Sequence, residues 1–298
     1  CSAADSPTDF DKTDDGSGFL VSDLNDPDDD NDTLLDTYDP FPIDANNGSD
    51  ISLPLELELF NGFPGYGFFG LGLTGLMTDG TPASPGTDYL NLYPDPDDEI
   101  IPGGTSGLLT MLADDGTAAT DDLLYGFQFG IDSADINLPY TVEVILSASF
   151  FASSPGDPTQ KYEGFYIGDG TQDNYVAVLL DANGSIRIIH EELGAIVGAS
   201  SQTYAEGIPT GSASTVTLYL TVDPITNTVT PAYKVDAGAV TPVGSAITVG
   251  AGISDGMSGT FTVDGVETGM AIGLMASSGA TTDFNATWDN IKIDIFFL

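Results

Sequence analysis

One stretch of the 298-residue sequence decides the fold: Thr215-Val216-Thr217-Leu218-Tyr219-Leu220-Thr221-Val222. Side chains alternate between the two faces of an extended strand, so the four aliphatic residues of this stretch would share one face, and the threonines and Tyr219 the other. A period of two with one apolar and one polar face predicts a half-buried antiparallel strand.

The same signal recurs on both sides of this stretch. Leu55, Leu57 and Leu59 alternate with two glutamates. Asn183-Gly184 lies between two apolar runs and is a strong hairpin-turn signal, because both residues tolerate a positive φ. No window shows sustained helical periodicity, so we expect an all-β fold of short antiparallel strands arranged as a two-sheet sandwich. Further predicted strands cover residues 140–151, 162–167, 175–181, 186–190, 228–235, 270–275 and 286–297.

The charge of the chain excludes two classes of partner. The sequence has 46 acidic residues against 5 Lys and Arg, which gives a formal net charge of −41. Such a charge repels nucleic acid and anionic membrane surfaces, and it destabilises a compact body unless salt or bound cations screen it. We therefore expect bound divalent metal, a saline exterior and no nucleic-acid partner.

The single cysteine stands at position 1, so no disulfide forms within the chain. Cys1-Ser2-Ala3-Ala4 resembles the mature N-terminus of a bacterial lipoprotein. The resemblance implies a lipid on Cys1 and a place outside the cell or at its surface, as an outer-membrane or cell-envelope lipoprotein. The alternative is that the numbering begins at a proteolytic boundary. No run approaches about 18 apolar residues, so we expect membrane contact only through a lipid anchor.

Composition divides the chain into three parts. Residues 1–8 are mostly small and polar and would form a tether. Residues 9–50 are rich in Asp, Asn, Ser, Gly and Pro, and they hold too few large apolar side chains to build a core of their own. The apolar runs begin at Ile51, so residues 51–298 are predicted to form one β-sandwich domain behind an irregular Asp-rich segment.

The most specific local motif is an Asp-rich loop. With Asp28 as position one, aspartates stand at positions three, five, nine and twelve and the Leu34 carbonyl at position seven, which is the ligand spacing of an EF-hand-type loop. Oxygen ligands favour calcium over zinc. Thr33 takes the place of the usual glycine, and the alternative is a solvated acidic linker that binds cations diffusely. The predicted calcium ligands are Asp28, Asp30, Asp32, Leu34, Asp36 and Asp39.

The Asp-rich loop continues into Pro40-Phe41-Pro42-Ile43-Asp44. Together they resemble the bacterial thrombospondin type 3 repeat, over about residues 9–46. The resemblance implies a stiff, calcium-dependent spacer between an anchor and a folded head.

Three further stretches resemble the concanavalin A-like, laminin G-like sandwich modules of large secreted proteins. They are residues 70–77 (GLGLTGLM), 164–176 (GFYIGDGTQDNYV) and 286–293 (ATWDNIKI). The resemblance implies a two-sheet, antiparallel, jelly-roll-like fold in which Trp288 packs between the sheets, often with a calcium site. It also implies roles that range from glycan binding to adhesion to passive spacing, among which the fold does not decide.

The sequence offers little for catalysis. Glu56 and Glu58 share a strand face and are the nearest pair to the two carboxylates of a glycosidase, but their alternation with leucines is typical of a solvated strand face. His190 is the only histidine, and no GxSxG nucleophile sequence accompanies it. A strand-end histidine paired with a neighbouring carboxylate is the simpler interpretation. We therefore predict that the chain is not an enzyme.

A glycan-binding patch would need exposed aromatic rings beside polar groups, and one turn with its two flanking strands has both residue types. The alternative is that the alternate aromatics fill the core and that the Asp and Asn residues make turns. The candidate glycan-binding residues are Tyr162, Tyr166, Asp169, Asp173, Asn174 and Tyr175.

These observations lead to three hypotheses about function. The first is a non-enzymatic structural or adhesive surface protein that assembles with copies of itself, or with other surface proteins, into a filament or layer, because an apolar terminal strand needs a partner. The alternative is a glycan-binding surface lipoprotein that captures polysaccharide. The third is a polysaccharide hydrolase that uses Glu56 or Glu58. The predicted assembly residues are Ile295, Phe296, Phe297 and Leu298.

Overall fold

The computed structural model of the chain is nearly all β, as predicted, in the residues that it describes. These are residues 28, 30, 32–35, 39–49, 51–59, 72–77, 100–101, 109–113, 116–120, 123, 126–133, 138–147, 161–209, 215–263, 265–279 and 284–295. Within them, one α-helix, α1, spans Ala251–Met257, and a short 3-10 turn spans Ala118–Thr120. The described residues hold no helix long and apolar enough to cross a membrane.

The described strands number nineteen, in chain order. They are β1 Leu55–Glu58, β2 Gly75–Leu76, β3 Ile100–Ile101, β4 Leu109–Ala113, β5 Phe127–Ile131, β6 Tyr140–Ser147, β7 Tyr162–Gly168, β8 Tyr175–Asp181, β9 Ile186–Glu192, β10 Ala195–Ile196, β11 Gln202–Tyr204, β12 Thr215–Asp223, β13 Thr228–Val235, β14 Thr241–Pro242, β15 Ile247–Thr248, β16 Thr262–Val263, β17 Val266–Glu267, β18 Met270–Ser277 and β19 Phe284–Ile295.

The strands form two antiparallel sheets that face each other as a sandwich. The first sheet has the order β14-β13-β12-β6-β19-β4-β3, with β1 added beside β19 and β15 beside β13. The second sheet has the order β10-β9-β8-β7-β18-β5-β2, with β11 added beside β9. A separate two-stranded hairpin, β16 and β17, completes the described strands.

The core lies between the sheets, and β12 shows why the alternating pattern predicts it. Val216, Leu218 and Leu220 pair with Leu146, Val144 and Val142 of β6, and all six side chains are buried in the core cluster. Burial of one such side chain contributes about 1.5–3 kcal/mol to stability. The opposite face of β12 carries its threonines, and Thr141 of β6 bonds there to Thr221 at 2.8 Å.

Two neighbouring residues of β19, Trp288 and Thr287, lie where this strand meets β7 of the second sheet. Trp288 is fully buried between the sheets, which is the position that the sandwich resemblance implies. Next to it, the backbone N–H of Thr287 donates to the Glu163 carboxylate at 2.9 Å. β19 has a register shift against β6 at this place, between Trp288 and Asn290.

The segment of residues 39–49 packs against the second sheet, so close packing continues past the expected boundary between residues 50 and 51. Phe41 is fully buried, and Gln128 of β5 donates from Nε2 to the Pro40 carbonyl at 2.8 Å. The backbones of Gly48 and Gly130 touch, since a Cβ on Gly130 would lie 2.6 Å from the Cα of Gly48. This close approach requires glycine at both positions.

Candidate functional site

The structure gathers three of the predicted calcium ligands. Carboxylate oxygens of Asp28, Asp30 and Asp32 lie within 4.8 Å of one another. Thr33, at the position that usually carries glycine, takes a positive φ of 87°. The loop therefore makes the left-handed turn that glycine usually provides, at the cost of local strain, because a β-branched residue rarely adopts this conformation.

The rest of the predicted ligand set is divided. Leu34, at position seven of the loop, is buried, and its backbone N–H donates to Asp32 Oδ1 at 2.7 Å. Asp39 lies outside the cluster of three, and its Oδ1 accepts the backbone N–H of Phe41 at 2.7 Å. Asp36 lies outside the described residues. Asp39 thus holds the turn that docks the segment on the sheet, and its part as a calcium ligand stays a prediction.

Asn47 connects the three aspartates to the sandwich. Its side chain is buried at 1 % exposure, its Nδ2 donates to the Asp32 carboxylate, and its backbone carbonyl accepts the N–H of Gly269 at 2.7 Å. Among the described residues, Asn47 Oδ1 is buried without a hydrogen-bond partner. Buried amide oxygens normally have a partner, and an amide oxygen beside clustered carboxylates is the donor set that a calcium ion takes. The residues present therefore fit calcium.

The predicted glycan-binding tyrosines are not exposed. Tyr162 is 3 % exposed, and Tyr166 and Tyr175 are fully buried. They pack in a second apolar cluster with Met77, Leu123 and other residues that cover the outer face of the second sheet. A glycan cannot reach these rings, so the patch predicted around them is corrected: the aromatics fill the core, as the alternative interpretation states.

The polar members of the predicted patch fix the turn between β7 and β8. Asp169 Oδ1 accepts the backbone N–H and the hydroxyl of Thr171 at 2.8 and 2.7 Å, and its Oδ2 accepts Asn174 Nδ2 at 2.8 Å. Asn174 Oδ1 in turn accepts the backbone N–H of Leu193 at 2.9 Å. Burial raises the pKa of Asp169 to about 6, although the bonds from Thr171 oppose the shift. Asp173 contributes its carbonyl to the N–H of Gly194 at 3.1 Å.

A cleft of about 360 Å³ opens at one edge of the sandwich, where β9 and β11 of the second sheet face β13 and β15 of the first. Its inner wall is apolar and buried, and its rim carries hydroxyl and amide groups. Of the described residues that line it, none is charged. The lining residues are Ile188, Ala199, Ser200, Gln202, Tyr204, Pro231, Val243, Gly244, Ser245, Ala246 and Ile247.

The sequence singled out none of these lining residues, because the cleft joins segments that are far apart in the chain. The local signal is the run Ser200-Ser201-Gln202-Thr203-Tyr204, which is polar, ends in an aromatic ring and follows an exposed turn. Tyr204 is half-buried, and Gln202 and Ser245 are exposed.

His190 lies beside this cleft, and its pairing with a neighbouring carboxylate is confirmed. Its Nε2 is 2.8 Å from Glu192 Oε1, and its Nδ1 is 2.6 Å from the Ser200 hydroxyl. Glu192 also accepts the backbone N–H of Gly250.

The remaining predicted residues lie elsewhere. Glu56 is exposed on β1, where Asn290 Nδ2 donates to its Oε1 at 3.3 Å. The Glu58 side chain lies outside the described part of the chain, as do Cys1 and Phe296, Phe297 and Leu298 of the predicted assembly run. Ile295 ends β19 and packs partly buried against the core.

No protein-family model matches the chain, and no curated protein matches it. The solved structures that resemble it include the GH43 protein BlXynB from Bacillus licheniformis, with a TM-score of 0.47 and 14 % identity over 64 % of this chain and 33 % of that one. A xylan β-1,4-xylosidase from Bacillus halodurans C-125 has a TM-score of 0.45 and 19 % identity over 72 % of this chain and 35 % of that one.

Lectin I-B4 from Griffonia simplicifolia has a TM-score of 0.41 and 13 % identity over 69 % of this chain and 96 % of that one. The chain spans about a third of the length of the two hydrolases. At these identities the similarity is one of fold, that of the β-sandwich.

These comparisons correct the first hypothesis about function. A non-enzymatic, self-assembling structural or adhesive protein is contradicted: the solved structures that resemble the chain include glycoside hydrolases and a lectin. The likeness to thrombospondin type 3 repeats and to lipoproteins stays a prediction, as do the calcium, the partners and the place outside the cell.

Proposed function

We propose that the chain is an extracellular glycan-binding protein that takes a neutral sugar chain in the edge cleft and holds a calcium ion in the Asp-rich loop. One observation carries the proposal: a half-buried aromatic ring, Tyr204, stands among uncharged hydrogen-bonding groups in an open cleft. A sugar ring has an apolar face that packs on aromatic rings and hydroxyls that bond to side chains such as Gln202 and Ser245.

The size and charge of the cleft limit the class of ligand that it can bind. Its volume of about 360 Å³ is within the range of small-ligand pockets, about 300–1,000 Å³. Anionic sugars need cationic partners, which the described lining does not supply, and the net charge of −41 repels them before they arrive. A neutral polysaccharide therefore fits better than one that carries uronate or sulfate groups.

Calcium has a separate part in the proposal. Asp28, Asp30, Asp32 and Asn47 would hold the ion, which would neutralise clustered charge and fasten the loop to the second sheet. Calcium sites of extracellular modules bind the ion with dissociation constants of about 10⁻⁴–10⁻³ M. A protein with this charge and such a site is suited to a saline exterior.

The test is binding to soluble polysaccharides by isothermal titration calorimetry, with neutral xylan, mannan and β-glucan against polygalacturonate. We expect at least one neutral polymer to bind and polygalacturonate not to bind. Tyr204→Ala should weaken binding by about five- to tenfold, since a ring that stacks on a sugar contributes roughly 1–1.5 kcal/mol.

The matched control is Thr226→Ala, at an exposed turn away from the cleft, which should bind as the native chain does. Failure of every neutral polymer to bind, or unchanged binding by Tyr204→Ala, would overturn the proposal. The same mixtures are assayed for newly released reducing ends, and their release would make the chain a glycoside hydrolase.

A further inference from the structure

Three side chains form a hydrogen-bonded row at the wall of the cleft. Ser200 Oγ lies 2.6 Å from His190 Nδ1, and His190 Nε2 lies 2.8 Å from Glu192 Oε1. Ser200 is half-buried and lines the cleft, whereas the His190 side chain is only 2 % exposed. The row thus joins a half-buried carboxylate, 26 % exposed, through a buried imidazole to a serine that lines the cleft.

The direction of the proton in the row follows from its members. A carboxylate only accepts hydrogen bonds, so the Nε2 of His190 carries the proton that Glu192 receives. Ser200 Oγ lies 2.6 Å from His190 Nδ1 and 3.2 Å from the Val197 carbonyl. In a neutral imidazole whose proton is on Nε2, Nδ1 holds a lone pair and can accept the hydroxyl proton of Ser200 over the shorter of these two distances. Glu192 is held in place by the backbone N–H of Gly250, at the start of α1.

The loop after β9 does not depend on this row for its shape. The N–H of Val197 donates to the His190 carbonyl at 2.8 Å, and the Ser201 hydroxyl bonds to both the N–H and the carbonyl of His190. The N–H groups of Ser200 and Ser201 both donate to the Val197 carbonyl. The Ser200 hydroxyl adds a bond of 3.2 Å to the Val197 carbonyl, but none of these bonds uses the His190 imidazole.

We infer that this row, Ser200–His190–Glu192, is a serine nucleophile site that cleaves an ester on a ligand in the cleft. The inference rests on the proposed function for the ligand, a neutral glycan, and it adds an ester substituent such as an O-acetyl group. Serine, histidine and an acid in a hydrogen-bonded row define such sites by geometry rather than by position in the sequence. The two ring nitrogens are exchanged relative to the serine proteases, in which Nε2 faces the serine.

The reaction has two balanced steps. In the first, Ser200 Oγ attacks the ester carbonyl carbon, its proton passes to His190 Nδ1, and the carbon–oxygen bond to the alcohol breaks as the alcohol takes that proton. In the second, water attacks the acyl-serine while His190 accepts its proton, and the carboxylic acid leaves as Ser200 regains its hydrogen. Glu192 is a positioning residue that holds the imidazole and stabilises its positive charge. Ser245, which also lines the cleft, offers a hydroxyl to the carbonyl oxygen.

The first experiment labels the native chain with a fluorophosphonate and maps the adduct by peptide mass spectrometry. We expect the label on Ser200 and not on Ser201, its neighbour outside the row. The folded chain should also hydrolyse p-nitrophenyl acetate with saturation kinetics. An unlabelled Ser200 in folded protein, or a label spread over other serines, would overturn the inference without the need for any variant.

Variants then separate catalysis from structure. Ser200→Ala and His190→Asn should each lower kcat by about 10³-fold or more, and Thr226→Ala, at an exposed position that does not line the cleft, should retain activity. Glu192→Gln should lower kcat and leave KM unchanged, a split that a loosened loop would not produce. Equal rates for the native chain and Ser200→Ala would overturn the inference. p-Nitrophenyl acetate carries no sugar, so it tests ester cleavage apart from glycan binding. Ester cleavage without polysaccharide binding would contradict only the proposed glycan ligand. Polysaccharide binding without labelling of Ser200 would contradict only the esterase.

Discussion

The indole Nε1 of Trp288 donates a hydrogen bond of 3.0 Å to the carbonyl of Gly164, and this bond joins the two sheets through the core. Gly164 belongs to β7, and a Cβ there would lie 2.2 Å from the carbonyl oxygen of Val178 on the neighbouring strand β8, so this position requires glycine. The Glu163 carboxylate bonds to Thr287 beside it. These two hydrogen bonds connect β7 of the second sheet to β19 of the first.

Trp288→Phe tests the bond from Trp288 to Gly164. Phenylalanine fills most of the space but removes the indole N–H that bonds to the Gly164 carbonyl, a loss of about 0.5–1.5 kcal/mol, and the cavity adds to this loss. We expect a lower midpoint of urea unfolding with an unchanged slope. An unchanged midpoint would show that the bond between Trp288 and Gly164 contributes nothing to the free energy of unfolding.

Glu163 predicts the pH dependence of stability. Burial raises its pKa well above the ordinary value, and the bond from Thr287 only partly opposes the shift. Below about pH 4.3, the pKa of an unfolded glutamate, both states hold the proton. As the pH rises above this value the unfolded chain releases the proton while the folded chain keeps it, so the free energy of unfolding falls until the raised pKa is passed.

Glu163→Gln keeps a neutral side chain of the same shape and should flatten this decline between about pH 4.3 and 7. The measurement is urea unfolding over that range, with Glu267→Gln, at an exposed position, as the control. Asp169 adds a decline of the same sign, but it is present in all three proteins. A native-like slope in Glu163→Gln would contradict the assignment of a neutral buried acid.

Calcium should stabilise the folded chain. At a hundred times its dissociation constant, an ion that binds only the folded state adds about 2.7 kcal/mol to the free energy of unfolding. We expect Tm to rise with calcium and to fall on chelation at constant ionic strength. Asp30→Asn should remove most of this response, whereas Asp255→Asn, at an exposed position of α1, should keep it. An equal response in both variants would indicate diffuse screening instead of a site.

The contact between Gly130 and Gly48 makes the docking of residues 39–49 testable. A Cβ on Gly130 would also lie 3.0 Å from the ring of Phe41, so Gly130→Ala should force the segment away from β5 and cost about 1–3 kcal/mol. Gly198→Ala is the matched control, because nothing lies within 4 Å of a Cβ there. Thermal unfolding distinguishes them, and equal Tm values would contradict close packing of the segment.

The strands could be predicted from the sequence because alternation is a local property. The pattern of β12 predicted its buried and polar faces, and the acidic residues that follow His190 in the sequence predicted its pairing with a neighbouring carboxylate. The same rule could not show that the predicted glycan-binding tyrosines are buried, because β7 and β8 are buried along their whole length. A strand covered on both faces shows no polar face, and the sequence alone does not reveal that a second layer covers it.

The cleft and its serine could not be predicted for a different reason. Ser200 meets His190 only because the chain after β9 turns back, and Ser245 reaches the same opening from the other sheet. Such contacts depend on the tertiary arrangement rather than on spacing in the sequence. The first functional hypothesis relied on the absence of known motifs, and a cleft that is assembled from distant segments carries no motif.

The most direct test of glycan binding in the cleft is a crystal structure of the chain with a neutral oligosaccharide from the polymer that binds best. We expect a sugar ring packed on Tyr204, with its hydroxyls bonded to Gln202 and Ser245. A sugar bound elsewhere on the sandwich, with the edge cleft empty, would contradict it.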